Sequence, residues 1–271
     1  MRGVRFGVGT AGLAIYATLA FVLILTPIVY TIAFSFNDSV KSNIVWRGFT
    51  FENWTDVCVI ENGAVCSAFG LSLLVGGVAT VAATALGTGI ALALARYRLR
   101  FRAAATLLIF LPMATPEVVM GAGLAAQFLA AGILPGIGTI ILAHTLFCIS
   151  FVVVTVRARV SSLDPAIEEA GRDLYASPGQ VWWRVTFPLL LPGIIGAALL
   201  SFALSFDDYI ITSFNAGPAV QTFPLYVYTA AARGLPAAAN VISTAVFLLA
   251  IIIVIASQLA RAAREKQLAR N

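Results

Sequence analysis

Six stretches of this chain stay apolar for long enough to cross a hydrocarbon core of ~30 Å as helices: residues 8–36, 68–95, 103–131, 133–156, 189–214 and 240–259. The pattern predicts an all-α integral membrane protein with six spans in a single membrane domain, residues 1–271. The first stretch exceeds the ~7–15 apolar residues of a signal-peptide core, so it is read as a retained span. Pro112 and Pro116 break or kink the third. Between the third and fourth, only a Gly/Pro turn at Gly132–Gly138 intervenes, without a charge.

The polar interruptions differ in kind. Residues 37–67 carry Trp46, Phe49, Phe51 and Trp54, amphipathic side chains suited to a membrane interface, together with Cys58 and Cys66. If this loop is extracytoplasmic, the two cysteines either form a disulfide or remain two thiols. The stretch Asp164–Pro188 carries helix punctuation instead. Asp164 is placed to cap a helix whose first residue is Pro165, and Ser177 with Gln180 spells a capping box for a second helix starting at Pro178. Two short helices are expected back to back, outside the membrane.

Composition agrees with the pattern. The chain is 60% hydrophobic and 11% charged, with a mean hydropathy of +0.95, outside the range of soluble domains. Of 17 Lys and Arg residues, all but Lys41, Arg47 and Arg233 fall at the termini or in the segments after the second and fourth spans. The positive-inside rule then predicts cytoplasmic N and C termini, a cytoplasmic 164–188 loop and an extracytoplasmic 37–67 loop. The net charge of +5 follows from this topology and forms no basic face with interleaved aromatics, so nucleic acid is not an expected partner; the lipid bilayer is. A single histidine and no Cys-x-x-Cys pair argue against a metal site.

Candidate chemistry is sparse. There is no G-x-x-x-x-G-K-[S/T] sequence, and the only lysines are Lys41 and Lys266, so any ATP energy comes from another subunit. Gly7, Gly9 and Gly12 spell G-x-G-x-x-G, but no strand precedes them and no acidic residue follows at the expected distance. His144 has no serine elbow to serve. Three carboxylates lie inside apolar stretches: Glu117 in the third, Asp207 and Asp208 in the fifth. At ~1.5 Å per helical residue these and His144 fall at one depth, about 20 Å from the cytoplasmic side. Burying such groups in hydrocarbon is costly, so Glu117 and Asp207 are expected to line an aqueous cavity that attracts a cation. Asp208 either joins them or sits at a helix end, and His144 is expected to be an interhelical hydrogen-bond partner. Tyr209, Phe206, Phe214, Tyr226 and Tyr228 offer aromatic faces to an ammonium group.

Glu169, Ala170, Gly171, Tyr175, Val185, Phe187 and Pro188 keep the spacing of the E-A-A-x-x-x-G-x9-I-x-L-P loop of bacterial ABC-importer permeases. Gly171 stands for the second Ala, Tyr175 for the Gly, Val185 for the Ile and Phe187 for the Leu. The chain thus resembles that family. The stretches ALARYRLRFR, PEVVMG, LSFALSFDDYIITSFNAGP and FPLYVYTAAARGLPAAANVISTAV are similar, in order, to the second permease subunit of spermidine/putrescine importers, a resemblance that covers most of Phe34–Gln258. It implies a type I importer (MetI-like) permease fold, a heterodimer with a homologous first permease subunit, two cytoplasmic ATPase subunits and an extracytoplasmic substrate-binding protein. It also implies that this chain has no cofactor, ATP and magnesium being bound by the ATPases. The loop residues Glu168, Glu169, Ala170, Gly171, Asp173, Tyr175 and Ser177 would couple to the ATPase. Asp207, Asp208, Tyr209 and Glu117 would line a polyamine pathway. With tyrosine at the motif glycine, the break between the two short helices is expected to move to Ala176–Ser177. Permeases for iron, opines, phosphonates or thiamine share the fold and loop, and a stand-alone channel is the rival from another class.

Overall fold

The computed structural model describes residues 8–39, 44–97 and 100–268. Gly7 and the cations Arg2, Arg5, Lys41, Arg98 and Arg270 lie outside the described residues. The described residues are helical almost throughout: α1 (Val8–Phe34), α2 (Glu52–Thr55), a 3-10 turn (Ile60–Gly63), α3 (Ala64–Arg96), α4 (Arg102–Ala114), α5 (Glu117–Ala130), α6 (Ile137–Ser161), α7 (Ala166–Asp173), α8 (Pro178–Val181), a π turn (Trp182–Thr186), α9 (Phe187–Asp207), α10 (Ile210–Asn215), α11 (Phe223–Ala231) and α12 (Ala237–Leu268). No strand occurs among the described residues; Asn37 and Phe49 form one isolated antiparallel bridge. Five of the helical stretches are long and apolar enough to cross a membrane.

The third apolar run breaks at the second of its two prolines, while Pro112 is carried inside α4. The run is α4 and α5, meeting at 110° across Thr115–Pro116. Pro116 has no N–H to continue α4, and it holds Thr115 extended at ψ 133°. Counted as one broken span, the pair brings the total to six.

The chain gathers into two compact units. In the first, from the N-terminal side up to Cys66 and again from Thr229, α1 is apolar on every face and exposed along most of its length. Its Thr18, Thr26 and Thr31 hydroxyls donate to the carbonyls of Ala14, Val22 and Pro27 at 2.7–2.9 Å, so these three donors are satisfied within the helix. The loop after α1 is tied by Asn53, whose amide donates to Ser35 O and Asn37 O, and by the packed rings of Phe36, Phe49, Phe51 and Trp54. Cys58 and Cys66 form a disulfide, with Cα atoms 5.4 Å apart.

The second unit, Ser67–Tyr228, is built around α6. Its Ala143, Phe147, Val152 and Val156 are buried with Ala83, Ala91 and Leu94 of α3 and Leu190 and Ala197 of α9. Small residues set the spacing, as is usual where lipid removes the hydrophobic drive between helices. A Cβ at Gly87 would lie 2.7 Å from the Val152 side chain, so only glycine lets α3 and α6 approach this closely.

Candidate functional site

The first candidate site is the α7–α8 pair. Asp164 Oδ1 accepts from Ala166 N at 2.9 Å, capping α7 one residue later than Pro165 would have it. Ser177 Oγ accepts from Gln180 N at 3.3 Å and Gln180 Oε1 from Ser177 N at 2.8 Å, the reciprocal capping box that starts α8 at Pro178. The break between the helices has not moved to Ala176–Ser177. Tyr175 adopts the left-handed conformation of the motif glycine (φ +58°). Its N–H donates to Arg172 O at 2.9 Å and that of Ala176 to Gly171 O at 3.3 Å, the Schellman closure of α7. The backbone hydrogen bonds outweigh the steric cost of a Cβ there, and the tyrosine ring, 99% exposed, has nothing to clash with. Gly171 faces α8: a Cβ there would stand 3.3 Å from Val181.

Glu168 and Glu169 diverge. Glu169, with Ala170, Asp173 and Ser177, is exposed. Glu168 turns inward, where both its oxygens bind the Arg96 guanidinium at the end of α3, and it also accepts from Thr186 Oγ1 at 2.7 Å. The Arg96 hydrogen bonds hold the Glu168 carboxyl below the usual carboxylate range, against an opposing desolvation; Thr186 adds to the lowering. One side chain therefore joins α7 to α3 and to the π turn. That turn makes α8 and α9 a continuous helical path, Pro178–Asp207. Arg159 at the end of α6 adds a second tie, donating from Nε and Nη2 to Leu189 O at 3.0 and 2.9 Å. Gly193 leaves room for the Arg159 stem, which a Cβ would meet at 2.7 Å.

The second candidate site is the corner where α9 ends and α10 begins. The fifth apolar run breaks at Asp208, so the two neighbouring aspartates part ways. Asp208 is a buried helix cap: it accepts from Ile211 N at 3.2 Å, Thr212 N at 2.8 Å and Thr212 Oγ1 at 2.9 Å. His144 Nε2 lies 3.2 Å from its Oδ2 and 3.0 Å from Thr212 Oγ1, while Nδ1 lies 2.7 Å from Ser205 Oγ. With its proton on Nε2, His144 donates to Asp208 and accepts from Ser205, so the buried ring is fully satisfied. Asp207 is exposed at the end of α9 and has no hydrogen bond to a described residue. Beside it in sequence, Tyr209 stacks on Tyr228, ring centroids 4.1 Å apart. Glu117 is exposed as the first residue of α5, with no bonded partner among the described residues. Of the three carboxylates, Glu117 and Asp207 are exposed, and Asp208 takes the helix-end place, consumed by structure.

A family model for the binding-protein-dependent transport system inner membrane component matches residues 85–266. The chain belongs to that family. This permease is 34% identical over 244 residues to the spermidine/putrescine transport system permease protein PotC of Escherichia coli K12, covering 90% of this chain and 91% of that protein. It is 34% identical over 233 residues to the putrescine transport system permease protein PotI of the same strain, covering 83% and 82%. Among solved structures, a bacterial ABC transporter that imports the acidic polysaccharide alginate superposes with a TM-score of 0.64 at 17% identity, over 95% of this permease and 98% of that chain. That likeness is one of fold. The permease is thus a multi-pass inner-membrane protein with the all-helical importer fold.

Arg96 and Arg159 stand in the sequence only as topology-setting cations, and Thr186, Ser205 and Thr212 as unremarkable hydroxyls. Ser205 and Thr212 had a signal: they stand three residues before and four after Asp208. Arg96 and Glu168, 72 residues apart, had none.

Proposed function

We propose that this permease carries polyamine into the cytoplasm as one half of an ATP-driven importer. The observation that carries this reading is its similarity, along nearly the whole of both chains, to two permeases named for spermidine and putrescine. The transport machinery around it would be a homologous permease subunit, two ATPase subunits that bind ATP and magnesium, and an extracytoplasmic binding protein. The chain itself hydrolyses nothing.

The coupling site is the exposed face of α7 and its closing turn: Glu169, Ala170, Asp173, Tyr175 and Ser177, with Leu174 82% exposed beside them. Glu168 and Gly171 act from behind, Glu168 by tying α7 to α3 and α9, Gly171 by seating α8. Closure of the ATPase dimer displaces α7, and the Glu168 tie and the α8–α9 path pass the displacement to the corner that bears Asp207. A polyamine is multiply cationic, so its pathway needs carboxylates and aromatic faces that attract it without holding it. Asp207, Glu117 and the Tyr209–Tyr228 pair supply these; Asp208 keeps the corner in shape.

The test is reconstitution of the full complex in proteoliposomes with its cognate binding protein and labelled spermidine or putrescine. ATP-dependent accumulation of either is expected. Accumulation of neither, with another cargo carried by the same complex, would overturn the substrate reading and leave the importer.

A further inference from the structure

Two cavities in the second unit share a wall. One, of about 250 Å³, is a groove between α4 and α6 lined by Thr106, Ile109 and Phe110 on one side and Val153, Val154 and Ala158 on the other. The second, of about 500 Å³, lies among the ends of α3 and α6, the first residue of α4, and α7. Arg157 and Ser161 line both.

The two spaces differ in chemistry. The groove is apolar apart from Thr106 and the shared residues. The larger cavity collects four arginines, Arg96, Arg102, Arg157 and Arg172, against Asp164, Glu168 and Glu169. Glu168 is taken up by Arg96, and Asp164 also holds the cap of α7. None of the three carboxylates lines the groove. At the junction stand Arg157 and, one turn before Thr106, Arg102; neither guanidinium makes a hydrogen bond to a described residue. An apolar slot between two apolar helices, ending in uncommitted cations, has the two-part form of an amphiphile with a negative head.

We propose that an anionic phospholipid of the cytoplasmic leaflet binds here, an acyl chain in the α4–α6 groove and its phosphate between Arg102 and Arg157. The placement rests on the cytoplasmic orientation of α7 taken above. A soluble anion would use the arginines and leave the groove unfilled, and a protein segment would have to enter between two helices at membrane depth. The lipid would wedge the two helices whose ends frame α7, so its occupancy would bear on the coupling region.

The assembled transporter, purified in mild detergent and titrated with phosphatidylglycerol or phosphatidylcholine, tests this by native mass spectrometry. Preferential retention of phosphatidylglycerol is expected. Arg157→Gln and Arg102→Gln should each lower it about fivefold, the contribution of one cation to anionic-lipid attraction. Thr106→Trp, which fills the groove without changing charge, should lower it too, and Arg157→Lys should preserve it. Retention that is unchanged in Arg157→Gln and Thr106→Trp overturns the proposal. So does full competition by inorganic phosphate with no effect of Thr106→Trp, which would assign the arginines to a soluble anion. If Arg157→Gln does not assemble, Arg102→Gln, exposed at the start of α4, decides the question with Thr106→Trp. Polyamine uptake is measured on a portion of the same purified complex reconstituted into proteoliposomes: retention without uptake removes the substrate reading and leaves the lipid site, and uptake without retention does the reverse.

Discussion

Tyr175 carries a cost that its sequence neighbours do not. A left-handed backbone costs an L-residue about 1–2 kcal/mol, whereas glycine adopts it freely at a smaller entropic penalty. Because the ring is exposed, Tyr175→Gly sacrifices no packing inside the chain. It should raise stability by about 1 kcal/mol, and β-branched Tyr175→Val should lower it, both read from thermal unfolding of the purified permease. Glu168 gives a second expectation, in pH. Its folded carboxyl sits below the ordinary range, so its contribution to stability is complete above the ordinary carboxylate pKa and is lost as pH falls through the lowered folded value. Glu168→Gln should therefore cost about 1 kcal/mol at neutral pH, and melting temperatures of mutant and parent should converge in acid.

At the scale of elements, the α9–α10 corner separates a structural aspartate from an exposed one. Asp208→Asn and His144→Leu each strip a buried partner and should cost about 2–3 kcal/mol, seen as poor assembly or a lowered melting temperature. Asp207→Asn should assemble normally and weaken polyamine uptake; uptake left unchanged would remove Asp207 from the pathway. The sequence offered Asp208 at a helix end as one of two readings and could not choose between them. A depth count at fixed rise per residue assumes an unbroken helix, and α9 stops at the residue where the count placed the acids. What was legible rested on local chemistry: the apolar runs, the Ser177–Gln180 box, the Asp164 cap and the proline break between α4 and α5. Glu168 bridging to Arg96 and Thr186 joins residues far apart in the chain, and the π turn leaves no mark in residue type. The Tyr175 turn failed for the opposite reason, since propensity argued against a conformation that the backbone hydrogen bonds of α7 impose.

For the whole molecule, the open expectation is orientation, and the cysteines can report it. Cys58 and Cys66 are bonded and Cys148 is buried. A membrane-impermeant maleimide added to intact cells should label nothing until the disulfide is reduced, and should then label Cys58 and Cys66 from outside. Labelling only after permeabilisation would invert the topology. Replacing both cysteines should cost about 2–3 kcal/mol, the loop-closure value for so short a separation, without loss of the fold of the second unit.

The unbroken path from Pro178 to Asp207 also has a mechanical meaning. Thirty residues of helix make a rod about 45 Å long. A tilt of only about 5° around its Pro178 end sweeps Asp207 through about 4 Å, more than the width of a water molecule. Because helix continues through the π turn, a displacement at the α8 end too small to break the Arg96–Glu168 contact would arrive magnified at Asp207. On the coupling proposed above, a small angular input at α7 would become a larger travel of the exposed Asp207 carboxylate.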